Sequence, residues 1–321
     1  MQKIHLGAAQ CALDLGDGSE RAEYVNQDYI LHKLGRPHRA VGIMYTYYPH
    51  DKQWPQRISK ACKDMNITFQ WDYPYDDYFP FNADGQPWEQ MRDIRRHGQD
   101  VALTLTLDCS LSDDELREVA RMLRPYGRMT IRINHECGGT WFTHNKRFTY
   151  EQVGKFFAHF SDIIHQEAPN VRTVFCAGFA QADGKLEKED EFAVAYRAAD
   201  VWSADCYLAL HYGWPYDVAE VGGGQYKADS VGMYYDMFRR TYERASSQFG
   251  CKPLVTAEFN TDGDVTGPRH QGESVIRFAE AFRDHQADWF KAISLYQFRD
   301  RGRLGLEIED PNNPAVGIEQ P

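Results

Sequence analysis

The chain has 321 residues, of which 42% are hydrophobic and 26% charged, a globular profile that excludes a disordered, collagen-like or small disulfide-stapled protein. Its 36 basic and 47 acidic side chains give a formal net charge of −11. This is the wrong sign for a surface that tracks phosphates, so nucleic acid is not expected as a partner. Aromatic residues make up 14% of the chain, which suits either a large core or a protein that stacks on sugar rings.

Seven cysteines are scattered along the chain, with no CxxC pair and no spacing typical of a zinc site or a disulfide framework. Unpaired thiols favour a reducing compartment, so we expect a cytoplasmic protein without a metal or other cofactor. The N-terminal segment MQKIHLGAAQCALDLGDG does not resemble a signal peptide, although a secreted protein whose signal has been removed remains an alternative. No apolar run approaches the roughly 20 residues of a membrane helix. We expect a monomer that does not contact membranes.

Nine short apolar runs, rich in β-branched or aromatic residues, predict β-strands. In chain order they are Lys3–Ala8, Ala40–Thr46, Ile67–Tyr73, Val101–Leu107, Met129–Asn134, Val171–Ala177, Val201–Tyr207, Leu254–Glu258 and Ile293–Phe298. Most of them are continuously apolar rather than alternating, which is typical of buried strands in a parallel sheet.

Segments of helical period lie between most of these strands. The clearest is Ser112–Leu123, where Ser112 and Glu115 form a capping box and apolar side chains repeat on one face. The other predicted helices are Gln53–Asp64, Tyr150–Gln166, Val231–Gln248 and Gly272–Ala287. Strand–helix alternation along the chain predicts a parallel α/β sheet. No linker or repeat divides the sequence, so we expect one domain over residues 1–321, with a C-terminal tail from about residue 305.

A (β/α)8 TIM barrel is the favoured architecture. Nine strands are one too many for it, so either Val101–Leu107 or one of the strands before it lies outside the barrel. The alternative is a doubly wound sheet, which is disfavoured because the first strand–turn region carries no GxGxxG motif. Barrel enzymes place their chemistry at the C-terminal ends of the strands, so functional residues are expected there.

Two strands far apart in the chain end in a glutamate. The run TIRINHECGGTWF (residues 130–142) places Glu136 after a strand and before a Gly-Gly turn, and KPLVTAEFN (residues 252–260) places Glu258 at the end of another strand. A carboxylate is costly to bury without a partner. A salt bridge at the barrel rim would account for one such residue. Two at the same face indicate a carboxylate pair of the kind that cleaves glycosidic bonds.

The first of these segments resembles the acid/base segment of glycoside hydrolase family 26, whose clan A barrels include endo-β-mannanases. Arg132, His135 and Gly139 stand where the family has an arginine, a histidine and a glycine around its catalytic glutamate. Trp141 and Phe142 match the aromatic pair that follows.

Other segments extend the resemblance and limit it. KPLVTAEFN is similar to the family's nucleophile strand, and AADVWSADCY resembles the segment whose terminal tyrosine, here Tyr207, hydrogen-bonds the nucleophile. Two positions depart from the pattern, since Gly138 replaces an asparagine and Thr143 replaces a further aromatic residue. These departures concern the substrate class more than the mechanism.

The resemblance implies a retaining double displacement, with Glu136 as acid/base and Glu258 as nucleophile. It implies that Arg132 and Tyr207 keep Glu258 ionised, while His135 orients Glu136 or contacts the sugar. On the clan A plan Glu136 ends the fourth barrel strand and Glu258 the seventh, which puts the surplus strand before Glu136. The expected activity is cleavage within a β-linked polysaccharide or oligosaccharide, with β-mannan favoured, and the expected partner is this carbohydrate.

Side chains near the strand ends are candidates for binding sugar, because a pyranose presents an apolar C–H face to an aromatic ring and polar groups at its edge. The candidate substrate-binding residues are Trp71, Asp72, Trp141, Trp214 and Tyr296. Members of family 26 often end the last barrel strand with a tryptophan under the cleaved sugar. This chain offers Tyr296 or Phe298 instead, which indicates a modified subsite.

Competing chemistries have less support. His135 and Glu136 do not open an HExxH metal helix, because Gly139 stands where the second histidine is needed. A metal gathered by His135, His144 and Glu136 is a weaker option. No GxSxG elbow occurs, and Cys137 is a candidate nucleophile, although buried cysteines are commoner.

Three functional alternatives stay open: a β-1,3-xylanase or a β-glucanase on the same scaffold, and a carbohydrate-binding barrel without activity. The glutamate pair together with Arg132 and Tyr207 argues against a binder, which needs none of these four residues. The loop Phe179–Glu191 either walls off a subsite or is a plain surface loop.

Overall fold

Parallel strands joined by helices form the observed sheet. The structure, a computed structural model, describes residues 12–14, 24–35, 38–51, 79–81, 86–139, 147–181, 183–208, 231–261, 268–296 and 298. Within these residues nine strands form one sheet, and the pairings between neighbouring strands are all parallel. The predicted parallel α/β architecture is therefore confirmed.

The nine observed strands are β1 Ala12–Asp14, β2 Ala40–Tyr47, β3 Phe79–Pro80, β4 Asp100–Leu107, β5 Met129–Ile133, β6 Val171–Phe179, β7 Val201–Tyr207, β8 Leu254–Asn260 and β9 Phe290–Tyr296. Seven of the predicted strands correspond to β2 and to β4 through β9. The two remaining predicted strands, Lys3–Ala8 and Ile67–Tyr73, lie outside the described residues.

Helices follow most of the strands. They are α1 Gln27–Leu34, α2 Gln86–Arg96, α3 Asp113–Leu123, α4 Tyr150–Glu167, α5 Ala193–Ala198, α6 Val231–Phe249 and α7 Pro268–Asp284, with a 3-10 turn at Arg124–Tyr126. The predicted helix Gln53–Asp64 lies outside the described residues. Among the helices that the structure describes, none is long and apolar enough to cross a membrane.

The strand order is β1-β9-β8-β7-β6-β5-β4-β2-β3, and β1 also pairs with β2. The three residues of β1 therefore have β9 on one side and β2 on the other. β4 contains the predicted strand Val101–Leu107 and pairs with β2 on one side and with β5 on the other. This strand is an integral part of the sheet. The two-residue β3 pairs with the end of β2.

The predicted bounds of two elements, α7 and β9, were wrong by three or more residues. Helix α7 begins at Pro268 rather than Gly272 and ends at Asp284 rather than Ala287. Proline is favoured in the first helical turn, where its missing N–H is not needed, and the chain adopts a left-handed φ of 51° at Gln286, which ends the helix early. β9 begins at Phe290 rather than Ile293, because Leu254 of β8 already pairs with Phe290.

Aromatic side chains fill much of the space between the sheet and the helices. Phe282 on α7 stacks on Phe290 of β9, with 3.9 Å between the ring centroids. On the other side of the fold, the ring centroid of Phe175 on β6 lies 4.8 Å from those of Phe157 and Tyr196. These rings are buried. A substantial part of the high aromatic content therefore serves the core.

The predicted capping box at the start of α3 is confirmed. Ser112 Oγ accepts a hydrogen bond from Glu115 N at 3.5 Å, and Glu115 Oε2 accepts one from Ser112 N at 2.8 Å. The apolar face of α3 is buried against the sheet through Leu116, Val119 and Leu123. The cap therefore determines where a helix that covers the sheet begins.

Replacing Ser112 by alanine removes the acceptor for one of the free amide groups of the first helical turn. We expect Ser112→Ala to lower the free energy of unfolding by about 0.5–2 kcal/mol, measured by urea denaturation. Ser112→Asp is the matched control, because aspartate is an equally good cap and should retain most of the stability. Equal losses in both variants would contradict the role assigned to the cap.

Candidate active site

The chain leaves β5 through a turn in an uncommon backbone conformation. Asn134 and Glu136 have φ angles of 58° and 42°, in the left-handed region that residues with a Cβ rarely adopt. Neighbouring strands hold this turn, since Asn134 Oδ1 accepts from Leu107 N at 2.8 Å and Cys137 N donates to Cys176 O at 3.1 Å. Hydrogen bonds to β4 and β6 thus fix the position of Glu136.

A second irregularity directs Glu258. The register between β7 and β8 shifts between Ser203 and Cys206. In this stretch side chains replace the regular ladder, because Ser203 Oγ accepts from Ala257 N at 2.8 Å and Asp205 Oδ1 accepts from Glu258 N at 3.1 Å. Irregularities of this kind re-aim side chains and are common beside active sites. The shift sets the direction of the Glu258 side chain.

Basic and phenolic groups surround the buried carboxylate of Glu258. Arg132 Nη2 donates to Oε1 at 2.8 Å, and Tyr207 Oη donates to Oε2 at 2.8 Å. His135 Nδ1 lies 3.3 Å from Oε1, while Arg132 is itself held by a 2.8 Å hydrogen bond from Nε to Thr104 Oγ1. Burial and then the Glu258 charge raise the pKa of Tyr207, so its phenol keeps the proton that it donates. Each carboxylate oxygen of Glu258 therefore has a hydrogen-bond donor within 2.8 Å.

Glu136 lies in a contrasting environment. Its side chain is buried, and burial raises its pKa well above the usual range. The negative charges of Asp205 and Glu258 add to this effect, and the Arg132 guanidinium opposes it. One carboxylate oxygen of Glu136 lies within 4.8 Å of one of Glu258. Two close carboxyl groups thus have contrasting surroundings, with burial and negative charges around Glu136 and hydrogen-bond donors around Glu258.

The sequence analysis missed Asp205, a third buried carboxyl group at this site. Its side chain lies beside that of Glu136, and the two carboxyl groups can share a hydrogen bond only if one of them carries a proton. Arg132 Nη1 lies 3.6 Å from Asp205 Oδ1. Burial and the Glu258 charge raise the pKa of Asp205. The sequence did contain a signal for Asp205, because it is an acidic residue inside the apolar strand VWSADCY. The cost of burying an unpaired carboxylate, which pointed to the two glutamates, applies to Asp205 as well.

Three of these side chains have the composition of a metal site. One atom from each of His135, Glu136 and Glu258 lies within 4.8 Å of the others. However, the Arg132 guanidinium donates to the same Glu258 carboxylate, and a metal ion there would meet this positive charge at close range. The donor set fits proton transfer better than metal binding. His144, the third ligand considered from the sequence, lies outside the described residues.

Cys137 does not have the surroundings of a nucleophile. Its Sγ lies 3.5 Å from the carbonyl oxygen of Asn134, to which it donates, and burial raises the pKa of the thiol well above its usual range. Cys137 is therefore a buried cysteine rather than a nucleophile, because a reactive cysteine needs an exposed thiolate.

The structure brings five of the predicted site residues together at the C-terminal ends of β5, β7 and β8: Arg132, His135, Glu136, Tyr207 and Glu258. A sixth, Tyr296 at the end of β9, packs edge-to-face on Tyr207 with 6.0 Å between the ring centroids. Phe298, its alternative, belongs instead to a separate core cluster with Val25 and Ile30. The predicted substrate-binding residues Trp71, Asp72, Trp141 and Trp214 lie outside the described residues.

No protein-family model and no curated protein sequence matches this chain. Solved structures do match it. A family 39 glycoside hydrolase from the gut symbiont Bacteroides cellulosilyticus WH2 aligns with a TM-score of 0.56 and 7% identity, over 98% of this chain and 60% of the other. AbfB, a family 51 alpha-L-arabinofuranosidase from Bifidobacterium longum, aligns with a TM-score of 0.54 and 11% identity, over 92% of this chain and 68% of the other.

A third similar structure is the Ignisphaera aggregans GH53 catalytic domain, with a TM-score of 0.51 and 13% identity over 89% of this chain and 84% of the other. At such low identities the similarity establishes the fold alone. The chain shares its α/β architecture with enzymes named as glycoside hydrolases of several families. The sugar and the linkage have to be argued from the site.

The contact between Asp205 and Glu136 predicts a pH effect. Replacing Asp205 by asparagine removes a negative charge that raises the pKa of Glu136. The pKa of Glu136 should fall, so any activity that needs protonated Glu136 should be lost at lower pH than in the wild type. The basic limb of the pH profile of kcat/KM measures this shift.

Asp236→Asn is the matched control, since Asp236 is exposed on α6 and its loss should leave the profile unchanged. An unchanged or upward-shifted basic limb in Asp205→Asn would contradict the electrostatic role of Asp205.

Proposed function

We propose that the protein is a retaining glycoside hydrolase that cleaves a β-linked polysaccharide or oligosaccharide. The observation that carries the proposal is the pair of buried carboxyl groups at the C-terminal ends of β5 and β8, Glu136 and Glu258, with an oxygen of each within 4.8 Å of the other. The surroundings of Glu136 favour its protonated form, whereas the hydrogen-bond donors around Glu258 suit a carboxylate nucleophile. General acid and nucleophile require these two opposite states.

In the first step Glu258 attacks the anomeric carbon and forms an ester bond to it. The glycosidic carbon–oxygen bond breaks, and Glu136 gives its proton to the departing oxygen. The guanidinium of Arg132 and the phenol of Tyr207 each donate to one oxygen of Glu258. These two hydrogen bonds align the carboxylate for attack, and they remain available to the ester oxygens after the carboxylate has lost its charge.

In the second step Glu136, now ionised, takes a proton from water. The hydroxide oxygen bonds to the anomeric carbon, and the ester bond to Glu258 breaks, so that the sugar is released with its original configuration. Forming the ester removes the Glu258 charge, one of the causes that raise the pKa of Glu136. The pKa of Glu136 therefore falls between the two steps, as a switch from acid to base requires.

The carboxyl spacing favours retention over inversion. Retaining pairs stand about 5–5.5 Å apart, whereas inverting pairs stand about 6.5–9.5 Å apart to leave room for a water molecule. An approach of two oxygens to within 4.8 Å is compatible with the shorter spacing. The water of the second step would then enter only after the leaving group has departed.

β-Mannan is the favoured substrate, attacked within the chain, on the resemblance to glycoside hydrolase family 26. Family membership is part of the proposal, and so is a sugar platform made by Trp71, Asp72, Trp141, Trp214 and Tyr296. A β-1,3-xylanase or a β-glucanase on the same scaffold is the alternative. The position of Tyr296 beside Tyr207 supports a sugar-facing role for its ring.

A carbohydrate-binding protein without activity is the alternative from a different class. Burying several carboxyl groups and a guanidinium costs free energy, and binding a carbohydrate does not require such a buried cluster. The enclosed Arg132–Glu258–Tyr207 group therefore favours the enzyme.

The scaffold is part of the same proposal. We infer that β1, with β2 on one side and β9 on the other, closes a (β/α)8 barrel in which β3 is the surplus strand. Glu136 then follows the fourth barrel strand, and Glu258 lies on the seventh. We further propose that residues 1–321 form a single catalytic domain that acts as a monomer without a cofactor.

Removing either carboxylate should abolish turnover of an unactivated β-glycan. Glu136→Ala should reduce kcat by about 10²–10⁴-fold, the usual contribution of a general acid, and Glu258→Ala by more, because no ester can form. Reducing-sugar release from soluble β-mannan measures both effects. Glu243→Gln is the control, since Glu243 is exposed on α6 and its loss should leave turnover unchanged.

The two roles can be separated by adding azide. Azide fits the space left in Glu258→Ala and should restore turnover of an activated aryl β-glycoside, giving the α-glycosyl azide. In Glu136→Ala it should give the β-glycosyl azide, because Glu258 still forms the ester. Near-normal activity in either variant, or exchanged products, would contradict the assignment.

A further inference from the structure

The loop that connects β6 to α5 is anchored at several points. Glu189 is buried and accepts a 2.8 Å hydrogen bond from Arg244 on α6, and Gln248 also donates to it. Leu186 is buried in the main core cluster. A loop held by a buried carboxylate that pairs with Arg244 and by a core side chain presents the residues between these anchors in a defined position.

Glu187 lies between these two anchors. The hydroxyl of the buried Tyr196 donates to the backbone oxygen of Glu187 at 2.9 Å, which fixes its main chain. Its side chain is partly exposed. The two neighbouring residues, Leu186 and Lys188, face elsewhere: Leu186 into the core, and Lys188 over the ring of Tyr150, with Nζ 4.4 Å from the centroid.

The Glu187 carboxylate occupies a notch made by two glycines at the ends of β5 and β6. A Cβ atom on Gly138 would lie 2.7 Å from Glu187 Cδ and 2.6 Å from the carbonyl oxygen of Ala177. A Cβ on Gly178 would collide with Glu187 Oε2, and the next two nearest atoms also belong to Glu187. The notch at Gly178 is therefore shaped by this carboxylate. Any larger residue there would displace it.

The notch adjoins the turn that carries the proposed acid. Gly138 is two residues after Glu136, and Gly139 N donates to Glu136 O at 2.8 Å. The charges that raise the pKa of Glu136 most are those of Asp205 and Glu258. Glu187 therefore borders the acid's turn without belonging to the carboxyl cluster itself. Its position suits binding rather than chemistry.

We propose that Glu187 is a specificity-determining residue that accepts hydrogen bonds from hydroxyl groups of the sugar on the leaving-group side of the cleaved bond. This inference rests on the proposed function. Glu136 must face the glycosidic oxygen, and the leaving sugar is attached to that oxygen, so groups beside the acid's turn border this sugar. A carboxylate has two acceptor oxygens and no donor, which matches a pair of neighbouring sugar hydroxyls.

The test compares two substrates that share the same non-reducing sugar. One is an unactivated β-linked oligosaccharide, which places a sugar on the leaving-group side; the other is the 2,4-dinitrophenyl β-glycoside, which does not. Manno-, gluco- and xylo-configured pairs are assayed, and the pair that the wild type hydrolyses fastest is used. Glu187→Gln should lower kcat/KM for the oligosaccharide by about 10-fold, the effect of losing one hydrogen bond to a charged group. Hydrolysis of the aryl glycoside should be unchanged.

Glu191→Gln is the matched control, since it removes an exposed charge from the same loop and should leave both substrates unaffected. Equal losses on both substrates in Glu187→Gln would indicate a structural role and overturn the inference, as would no loss on either. These two outcomes leave the proposed function intact. A wild type that hydrolyses neither substrate in any of the three series would instead overturn the proposed function, and this inference with it.

Discussion

The pairing of the buried Glu258 carboxylate with Arg132 and Tyr207 is the interaction on which the site depends. A carboxylate in this position is tolerated only if its charge is compensated, and each of its oxygens receives a 2.8 Å hydrogen bond. The same enclosed space holds Glu136 and Asp205, and among the residues that the structure describes it is the Arg132 guanidinium that lies against both Asp205 and Glu258. Three carboxyl groups against one guanidinium cannot all be ionised at low cost. Burial and the neighbouring negative charges accordingly raise the pKa of both Glu136 and Asp205, which favours a proton within the cluster.

Regular strands alone would not deliver these groups to one point. Glu136 reaches the cluster through a turn with two left-handed residues, and Glu258 reaches it where β8 slips out of register with β7. Such conformations cost free energy and persist only where the surroundings impose them. Here the surroundings are β4 and β6 on one side and the Ser203 and Asp205 side chains on the other. The irregular backbone lies where the chemistry is proposed to occur.

Much of the fold could be predicted from local patterns. Continuous apolar runs identified β4 and β7 to within a residue or two, and the capping box located α3, because these signals are carried by neighbouring residues. The start of α7 was placed at Gly272 although Pro268 begins the helix. Pro268 is itself a signal for a helix start, but it lies outside the pattern of apolar residues on which the predicted boundary relied.

The site was predictable in part. An acidic residue after an apolar strand was informative for Glu136 and Glu258, and the resemblance to family 26 supplied Arg132 and Tyr207 as partners. Asp205 was missed although it is an acidic residue inside an apolar strand, and its contact with Glu136 could not be predicted because it depends on the register shift between Ser203 and Cys206, which two strands create together. The notch around Glu187 likewise joins residues from separate segments. Contacts of this kind depend on tertiary structure and leave little trace in local sequence.

The most direct test of the central claim is the configuration of the first sugar that the protein releases. Proton NMR during hydrolysis of β-mannan, with β-glucan and β-1,3-xylan in parallel, distinguishes the anomers before they interconvert. Initial release of the β-anomer from any of these polymers is the result expected for a nucleophilic Glu258 and an acid/base Glu136. Initial release of the α-anomer would contradict the double displacement, and binding of a polymer without any cleavage would contradict the assignment as an enzyme.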